Sequence, residues 1–580
     1  MTYESLTGFP DITIERDVPG IMRDGTVLLA DIYRPKGTGP HPVLLSRLPY
    51  DKQAALANFG YAHPTWYAGH GYTVVIQDCR GRYQSEGEFI PFLNEASDGY
   101  DTVEWAAQLP GTDGRVAMYG FSYCGATSLL AATAVPPSLT AICPGFTGSQ
   151  YYDGWTYQSG ALNLAFIMYW STLLGMDTAR RARDVEGYAK LGAALGAAAE
   201  WFNFLPTMDY PVTVDHAPYF RDWIEHSTYD DYWKRWSIDE AYGRIDVPAL
   251  HIGGWYDIFL RGTVRNFLGL SDPPRPSGDV DQKLLLGPWT HMPWTPVDVA
   301  GGEISTNEID DWQLRWFDHH LKGVDTGVLD DPVTAYVIGA GMQNFNSWPP
   351  AQTTNVDFFL HSDGRACSKF GNGRLDRDGP GDEPADVFIY DPATPIPSLG
   401  GHSCCFDLVT PMGPADQHAA EASRMMLVYT SDPLAQDLLL VGKAHVTLCA
   451  ASTAVDTDFT ARLCVVDQSG TSTNIQEGIV RARYRDSLSD PSPINPGEVY
   501  EYCIDLGSLA VRIPTGSAIR LDVSSSDFPQ WDRNLNTGGR IGCEGALAAL
   551  IATQTVLHNE RYPSRVSLPV LGEYRPDDTA

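Results

Sequence analysis

Three side chains in this 580-residue chain have the chemistry of a nucleophile, a base and an orienting acid: Ser122, His291 and Asp257. Ser122 lies in V-A-M-Y-G-F-S-Y-C-G-A-T-S-L-L, Val116 to Leu130. A short apolar run (Val116 to Tyr119) enters Gly120-Phe121-Ser122-Tyr123-Cys124-Gly125, and a small-residue helix start follows from Ala126. Strand, sharp turn and helix push a hydroxyl outward at the apex and aim backbone N–H groups at whatever it attacks. A serine hydroxyl is a poor nucleophile until a base takes its proton. Two later segments supply the partners. Val247-Pro248-Ala249-Leu250-His251-Ile252 runs into Gly253-Gly254-Trp255-Tyr256-Asp257, and Lys283-Leu284-Leu285-Leu286 into Gly287-Pro288-Trp289-Thr290-His291. Each is an apolar run, then glycine, then a polar residue just past the carboxyl end of a strand. Open parallel sheets place catalytic groups at that edge.

Singly, each residue has a plainer reading. Ser122 could be a turn serine or a helix N-cap. The strict G-x-S-x-G pattern fails because Cys124 stands at its second glycine; Gly125 could relieve the turn instead. Asp257 could be a strand-end turn residue and His291 a hydrogen-bonded loop histidine. Together, each after its own strand, they run Ser, Asp, His, the order of α/β-hydrolases and not of chymotrypsin or subtilisin. They read as a triad in which Ser122 attacks, His291 accepts its proton, and Asp257 holds the tautomer and stabilises the imidazolium.

These residues need a sheet to position them. Residues 12–33 alternate around Arg23-Asp24-Gly25-Thr26, a hairpin with its turn at Asp24-Gly25. Strands are predicted at 42–48 and 72–77, the second followed by Asp78-Cys79-Arg80-Gly81-Arg82, and a helix at 100–109. Alternating strands and helices imply a parallel sheet covered on both faces. From about 147 to 242 aromatic residues are dense and Ala-rich helical stretches appear (187–202), so this part reads as a helical cap over the site. The sheet pattern then resumes through His291 and ends in a helix over 308–321. Its first turn, Glu308, Asp310 and Asp311, reads as solvated, and His319 and His320 as helix-end residues, not ligands. Beyond about 350 the chain becomes β-rich with regular turns, as in a β-sandwich or jelly roll. The expected division is an α/β-hydrolase domain (1–146 and 243–350), a cap (147–242) and a jelly-roll domain (351–580).

Composition sets the limits. At 580 residues, several domains are expected, and 43% apolar with 19% charged residues is ordinary globular usage. The net charge of −32 argues against nucleic-acid binding. No stretch is long and apolar enough to span a membrane, and Met1-Thr2-Tyr3-Glu4-Ser5 does not open a signal peptide, so a cytoplasmic location is expected. Ten scattered cysteines form no C-x-x-C pair, which supports neither a metal nor a redox site. They read as free thiols, and adjacent Cys404 and Cys405 as ordinary loop residues.

Along essentially its full length the chain resembles the bacterial cocaine esterase and X-Pro dipeptidyl-peptidase-like hydrolases. The shared pieces are R-D-G (Arg23 to Gly25), P-Y-D-K (Pro49 to Lys52), G-x-S-Y-x-G (Gly120 to Gly125), G-W-Y-D (Gly254 to Asp257), G-P-W-x-H (Gly287 to His291), S-L-G-G (Ser398 to Gly401), V-D-T-D-F (Val455 to Phe459) and D-R-N-x-N-T-G-G (Asp532 to Gly539). The family sets its glycine one residue late, as Gly125 does. The resemblance implies an α/β-hydrolase, helical cap and C-terminal jelly roll, and a serine hydrolase with no cofactor and no metal. It also implies an oxyanion hole made by the Tyr50 hydroxyl and the Tyr123 backbone N–H; read alone, Tyr50 is a loop tyrosine. Within the family the likeness is to enzymes that cleave a benzoate ester, which implies an acyl pocket of Trp155, Trp170, Phe259 and Phe406. Read alone, these aromatics are cap and core packing. Near Phe406 the chain carries Cys404-Cys405 where the family has leucines. The expected partner is a small ester or, alternatively, an amide, aminoacyl ester, β-lactam or X-Pro peptide. The family leaves room for a homodimer, for which the residues give no independent signal.

Overall fold

The computed structural model describes residues 12–37, 39–54, 62–272, 278, 280–292, 297–299, 302–304, 308–405 and 412–572. The predicted hairpin forms from β1 (Ile12–Ile21) and β2 (Val27–Pro35), closed by Met22 N–H to Thr26 C=O at 2.9 Å, with Gly25 at φ +88°. It leads into β3 (His41–Leu48), α1 (Pro64–Gly69), β4 (Thr73–Asp78), α2 (Glu95–Ala107), β5 (Thr112–Phe121), α3 (Tyr123–Thr133) and β6 (Leu139–Gly145). Two long helices of the intervening segment, α4 (Leu164–Ala182) and α5 (Val185–Gly196), pack against each other. The sheet resumes with β7 (Ala249–Tyr256), α6 (Leu260–Ser271), β8 (Gln282–Thr290), α7 (Ile309–Lys322), β9 (Val333–Val337) and β10 (Gly341–Phe345). The order is β1-β2-β4-β3-β5-β6-β7-β8-β9-β10. Its centre, from β4 to β9, is parallel, and antiparallel strands flank it on both sides. The central strands β4, β6 and β7 are buried on both faces, so they read as continuous apolar runs and not as alternation.

Two expectations change. Helix α2 begins five residues before the predicted start, at Glu95. Its polar first turn is held by tertiary ion pairs: buried Glu95 meets buried Arg47 at 2.7 Å, and Asp98 meets Arg80 at 2.6 Å. The acidic first turn of α7 is not uniformly solvated. Glu308 and Asp311 are exposed, but Asp310 is buried and accepts hydrogen bonds from the Tyr67 hydroxyl (2.6 Å) and the Ala62 N–H (2.9 Å). That pair binds α7 to α1 across the sheet edge, so Asp310 is committed to structure.

Residues 353–571 form a twelve-stranded sheet, antiparallel but for the pairing of Gly373–Asp376 with Leu427–Ser431. Its longest strand, Leu438–Ser452, pairs along its length with Tyr500–Ile513. One apolar cluster runs through Trp255, Leu284 and Val333 of the first sheet and Leu440, Leu463 and Val566 of the second. The backbone joins there too: Ile338 N–H donates to Ala510 C=O, and Arg512 N–H returns to Ile338 C=O, both at 2.9 Å. A second cluster joins the parallel sheet to the segment around α4. The carboxyl ends of β5, β7 and β8 are therefore enclosed from two sides. No helix among the described residues is long and apolar enough to cross a membrane.

Candidate active site

Ser122 is the last residue before α3 and sits at φ 58°, ψ −129°. A non-glycine residue held there is strained, and the strain is enforced by packing. Ser122 N–H donates to Gly145 C=O at 2.9 Å, and Ala126 N–H to Ser122 C=O at 3.0 Å. The two glycines matter for different reasons. Gly120 lies at φ +153°, and a Cβ on it would fall 2.3 Å from the Cys124 Cβ. Gly125 is not in the left-handed region; a Cβ there would press to 2.8 Å from the Gly145 carbonyl oxygen. The late glycine thus lets α3 approach β6, and the turn strain stays on Ser122 itself. Neighbouring Cys124 is buried, and burial pushes its thiol up to about 12, so it offers no thiolate at neutral pH.

Asp257 and His291 follow the ends of β7 and β8. A Cβ at Gly254 would lie 2.2 Å from the Trp289 carbonyl oxygen, so glycine there lets the two strand ends close on each other. His291 spans the gap: Nδ1 is 2.8 Å from Asp257 Oδ1 and Nε2 is 3.1 Å from Ser122 Oγ. All three are buried, Asp257 fully. Asp257 N–H also donates to Gly254 C=O at 3.1 Å, which fixes the carboxylate end of the chain of contacts.

The Tyr50 hydroxyl comes to the same place and interacts with Ser122. Burial pushes the phenol above its ordinary value, so it stays protonated and able to donate. Trp170, on α4, donates its indole N–H to the Tyr50 oxygen at 3.0 Å. Trp170 was expected only as a pocket wall; its donor role was missed because nothing in the spacing of residues 50 and 170 marks it. Also missed was Arg82. Fully buried, it donates to Pro49 C=O and to Leu174 C=O, both at 2.9 Å, tying the Tyr50 loop to α4. Its signal was present in Asp78-Cys79-Arg80-Gly81-Arg82, polar residues straight after a buried strand. Tyr123 opens α3, where an N–H has no intrahelical acceptor. Its side chain is used elsewhere: the hydroxyl donates to Glu95 at 3.0 Å and accepts from Phe92 N–H at 2.9 Å.

Trp155, Trp170 and Phe259 are brought together. Trp155 and Phe259 stack face to face, 4.2 Å between centroids; Trp170 meets Trp155 edge-on at 5.5 Å, and Phe259 meets His291 edge-on at 5.1 Å. Since Trp155 and Phe259 already cover each other, no flat group fits between those two rings. Phe406 lies outside the described residues. Cys404 and Cys405, read from the sequence as free loop residues, are instead joined as a vicinal disulfide. The eight other cysteines are free. The pair sits beside His291.

The model of the X-Pro dipeptidyl-peptidase (S15 family) matches residues 24–293, and that of the X-Pro dipeptidyl-peptidase C-terminal non-catalytic domain matches 326–567. Cocaine esterase of Rhodococcus sp. (strain MB1 Bresler) is 35% identical over 95% of this chain and 97% of its own. Among solved structures, an aminopeptidase from a marine sediment Thaumarchaeota archaeon superposes with TM-score 0.81 at 24% identity, over 98% of both chains. An α-amino acid ester hydrolase does so with TM-score 0.80 at 22% identity, again over 98% of both. Those two likenesses establish the shared fold: a mixed α/β catalytic part and a C-terminal β-rich part.

Proposed function

The chain belongs to the X-Pro dipeptidyl-peptidase (S15) family, and on that premise we propose that Ser122, His291 and Asp257 hydrolyse carboxylic esters through an acyl-enzyme with an aromatic or hydrophobic acyl group. The protein is a serine ester hydrolase. The observation that carries the residue assignment is His291 bridging Asp257 Oδ1 and Ser122 Oγ at 2.8 and 3.1 Å.

In this reading His291 Nε2 takes the Ser122 proton as Oγ attacks the ester carbonyl. Asp257 stabilises the imidazolium so formed. The carbonyl oxygen, now an alkoxide, is met by the Tyr50 hydroxyl and the Tyr123 N–H. His291 returns the proton to the leaving alcohol, and the acyl group stays on Ser122. Water, deprotonated by His291, then releases the acid. Trp170 supports Tyr50: with the indole donating to its oxygen, the phenol's own proton is left for the oxyanion. An aromatic acyl group would lie against the ring edges and outer faces of Trp155, Trp170 and Phe259; the family resemblance adds Phe406 to that set. We read residues 351–580 as a jelly roll, supported by their antiparallel pairing. They brace the hydrolase (1–146, 243–350) and cap (147–242) units. A cytoplasmic location is supported by the buried free thiols Cys79, Cys124, Cys143, Cys449 and Cys464.

The test is a substrate profile of the wild type beside Ser122→Ala, pairing benzoyl, acetyl and aminoacyl esters with their amides. Fast Ser122-dependent cleavage of benzoyl esters is expected. A preference for amides, aminoacyl esters or X-Pro anilides would keep the triad and overturn the acyl pocket. Equal activity in Ser122→Ala would overturn the mechanism.

A further inference from the structure

The loop that carries Cys404 and Cys405 is fixed on the β-rich part. Ser398 N–H donates to Phe528 C=O at 2.7 Å, Gly401 and Gly413 exchange backbone hydrogen bonds at 2.7 and 3.0 Å, and His402 N–H donates to Glu477 at 2.6 Å. So held, the loop delivers two adjacent sulfurs to the base of the triad: a ring nitrogen of His291 and the sulfurs of Cys404 and Cys405 lie within 4.8 Å of one another. A third sulfur is near, since Cys405 N–H points at Met412 Sδ, 3.3 Å away. Cys404 and His291 are buried, and Cys405 is partly exposed, which leaves an approach from solvent.

We propose that Cys404 and Cys405, once reduced, form with His291 a binding site for a thiophilic divalent cation, which on binding takes the base away from Ser122. Reduction by a small dithiol or a phosphine breaks the S–S bond. The reductant gives up two electrons: a dithiol closes to its own disulfide and passes its two protons to the sulfurs, while a phosphine takes an oxygen from water to become the phosphine oxide and that water's two protons go to the sulfurs. Cation binding then releases both thiol protons and leaves two thiolates as ligands. A reducing compartment would hold the pair in this state. The donor set, two thiolates and one imidazole, is that of zinc sites with one open position. Zinc sits about 2.3 Å from sulfur and about 2.0–2.1 Å from nitrogen. Once the S–S bond is broken the two sulfurs must move apart to roughly 3.7 Å, the spacing that two Zn–S bonds at a tetrahedral angle set, while the imidazole nitrogen closes in on them.

His291 is oriented for this role by the group that orients it for catalysis. A carboxylate on Nδ1 fixes the tautomer and leaves the Nε2 lone pair, 3.1 Å from Ser122 Oγ, as the ring's one donor for a cation, the arrangement that supports metal-bound histidines. One lone pair cannot hold a cation and accept the Ser122 proton at the same time. Binding therefore stops turnover, and this consequence rests on His291 acting as the base; the binding itself does not.

The probe is Zn2+ added to full-length protein, with bound zinc counted by elemental analysis after desalting and esterase activity followed in parallel. Phosphine-reduced wild type and reduced Ser122→Ala are each expected to retain one more zinc per chain than reduced Cys404→Ala/Cys405→Ala. Half-inhibition of reduced wild type should need at least about tenfold less zinc than that of the double variant, as loss of two thiolate ligands implies. Wild type left oxidised should behave like the double variant. If the double variant fails to fold, judged by its thermal midpoint, Cys405→Leu takes its place. Equal zinc content in wild type and variant, or extra zinc that leaves activity untouched, overturns the proposal. Because Ser122→Ala reports zinc without turnover, a failure of the catalytic reading shows separately.

Discussion

The indole nitrogen of Trp170 donates to the phenolic oxygen of Tyr50 at 3.0 Å, so a side chain of helix α4 sets the direction in which a loop tyrosine of the hydrolase sheet can donate. Trp170→Phe keeps the ring and removes the donor. It should lower kcat by about tenfold, the upper end of a single net hydrogen bond. Tyr50→Phe removes an oxyanion donor outright and should cost about 10²–10³ in kcat. If the indole acts through the phenol, Trp170→Phe in the Tyr50→Phe background has no further effect on kcat. A full additional tenfold loss there would make Trp170 a pocket wall only.

Asp257 offers Oδ1 to His291, while its buried Oδ2 has no hydrogen-bond partner among the described residues. Asp257→Asn leaves the size of the side chain unchanged but offers an amide where the imidazole needs an acceptor. The ring is driven towards the wrong tautomer. We expect kcat for a benzoyl ester to fall by about 10⁴ with KM little changed. Equal loss in KM would point to collapse of the strand ends around Gly254 and Trp289.

Phe259 is fully buried, stacked on Trp155 and edge-on to His291. Phe259→Ala should therefore cost about 3–5 kcal/mol of stability, seen as a lower thermal midpoint. Phe259→Leu fills most of the space and isolates specificity from folding. Its ratio of kcat/KM for benzoyl over acetyl esters should fall by up to about tenfold, since the ring edge nearest the base is lost. An unchanged ratio would remove Phe259 from the acyl pocket.

The meeting of Ser122, Asp257 and His291 was legible because each follows a separate apolar run and a glycine, a local pattern that survives without knowledge of the fold. The helix at 95–107 was half legible. Its later turns are periodic, but its start depends on Arg47, on β3, and on Arg80, in the turn after β4. Asp310 looked like a solvated helix start because its partner Tyr67 is some 240 residues away in the chain. Trp170 and Arg82 share that fate: their work lies in hydrogen bonds to distant residues, one for Trp170 and two for Arg82, and spacing does not encode them. The disulfide of Cys404 and Cys405 was hidden for a different reason, since adjacent cysteines are as compatible with two free thiols as with a bond.

Glu477 ties the loop carrying Cys404 and Cys405 to the β-rich part and lies close to Asp257. One of its oxygens accepts from His402 N–H (2.6 Å) and Gln530 Nε2 (3.2 Å) and lies 2.8 Å from His402 Nδ1. It shares a small polar pocket with Asp257. Burial alone would push its carboxyl up, but the charge and hydrogen bonds of His402, with Arg462 nearby, outweigh it and hold the group at about 2. A carboxyl held below its unfolded value of about 4.5 favours the folded state above that pH, and the gain is lost as pH falls from about 4.5 to about 2. At about 1.36 kcal/mol per pH unit, the gap corresponds to roughly 3 kcal/mol. Glu477→Gln should therefore have a lower thermal midpoint than wild type at pH 7, by an amount that stays constant down to about pH 5 and shrinks below it. Because His402 N–H anchors the loop beside His291, the variant should also lose esterase activity at temperatures several degrees below its own global midpoint. A midpoint gap that does not change with pH would show that Glu477 acts by packing and not by charge.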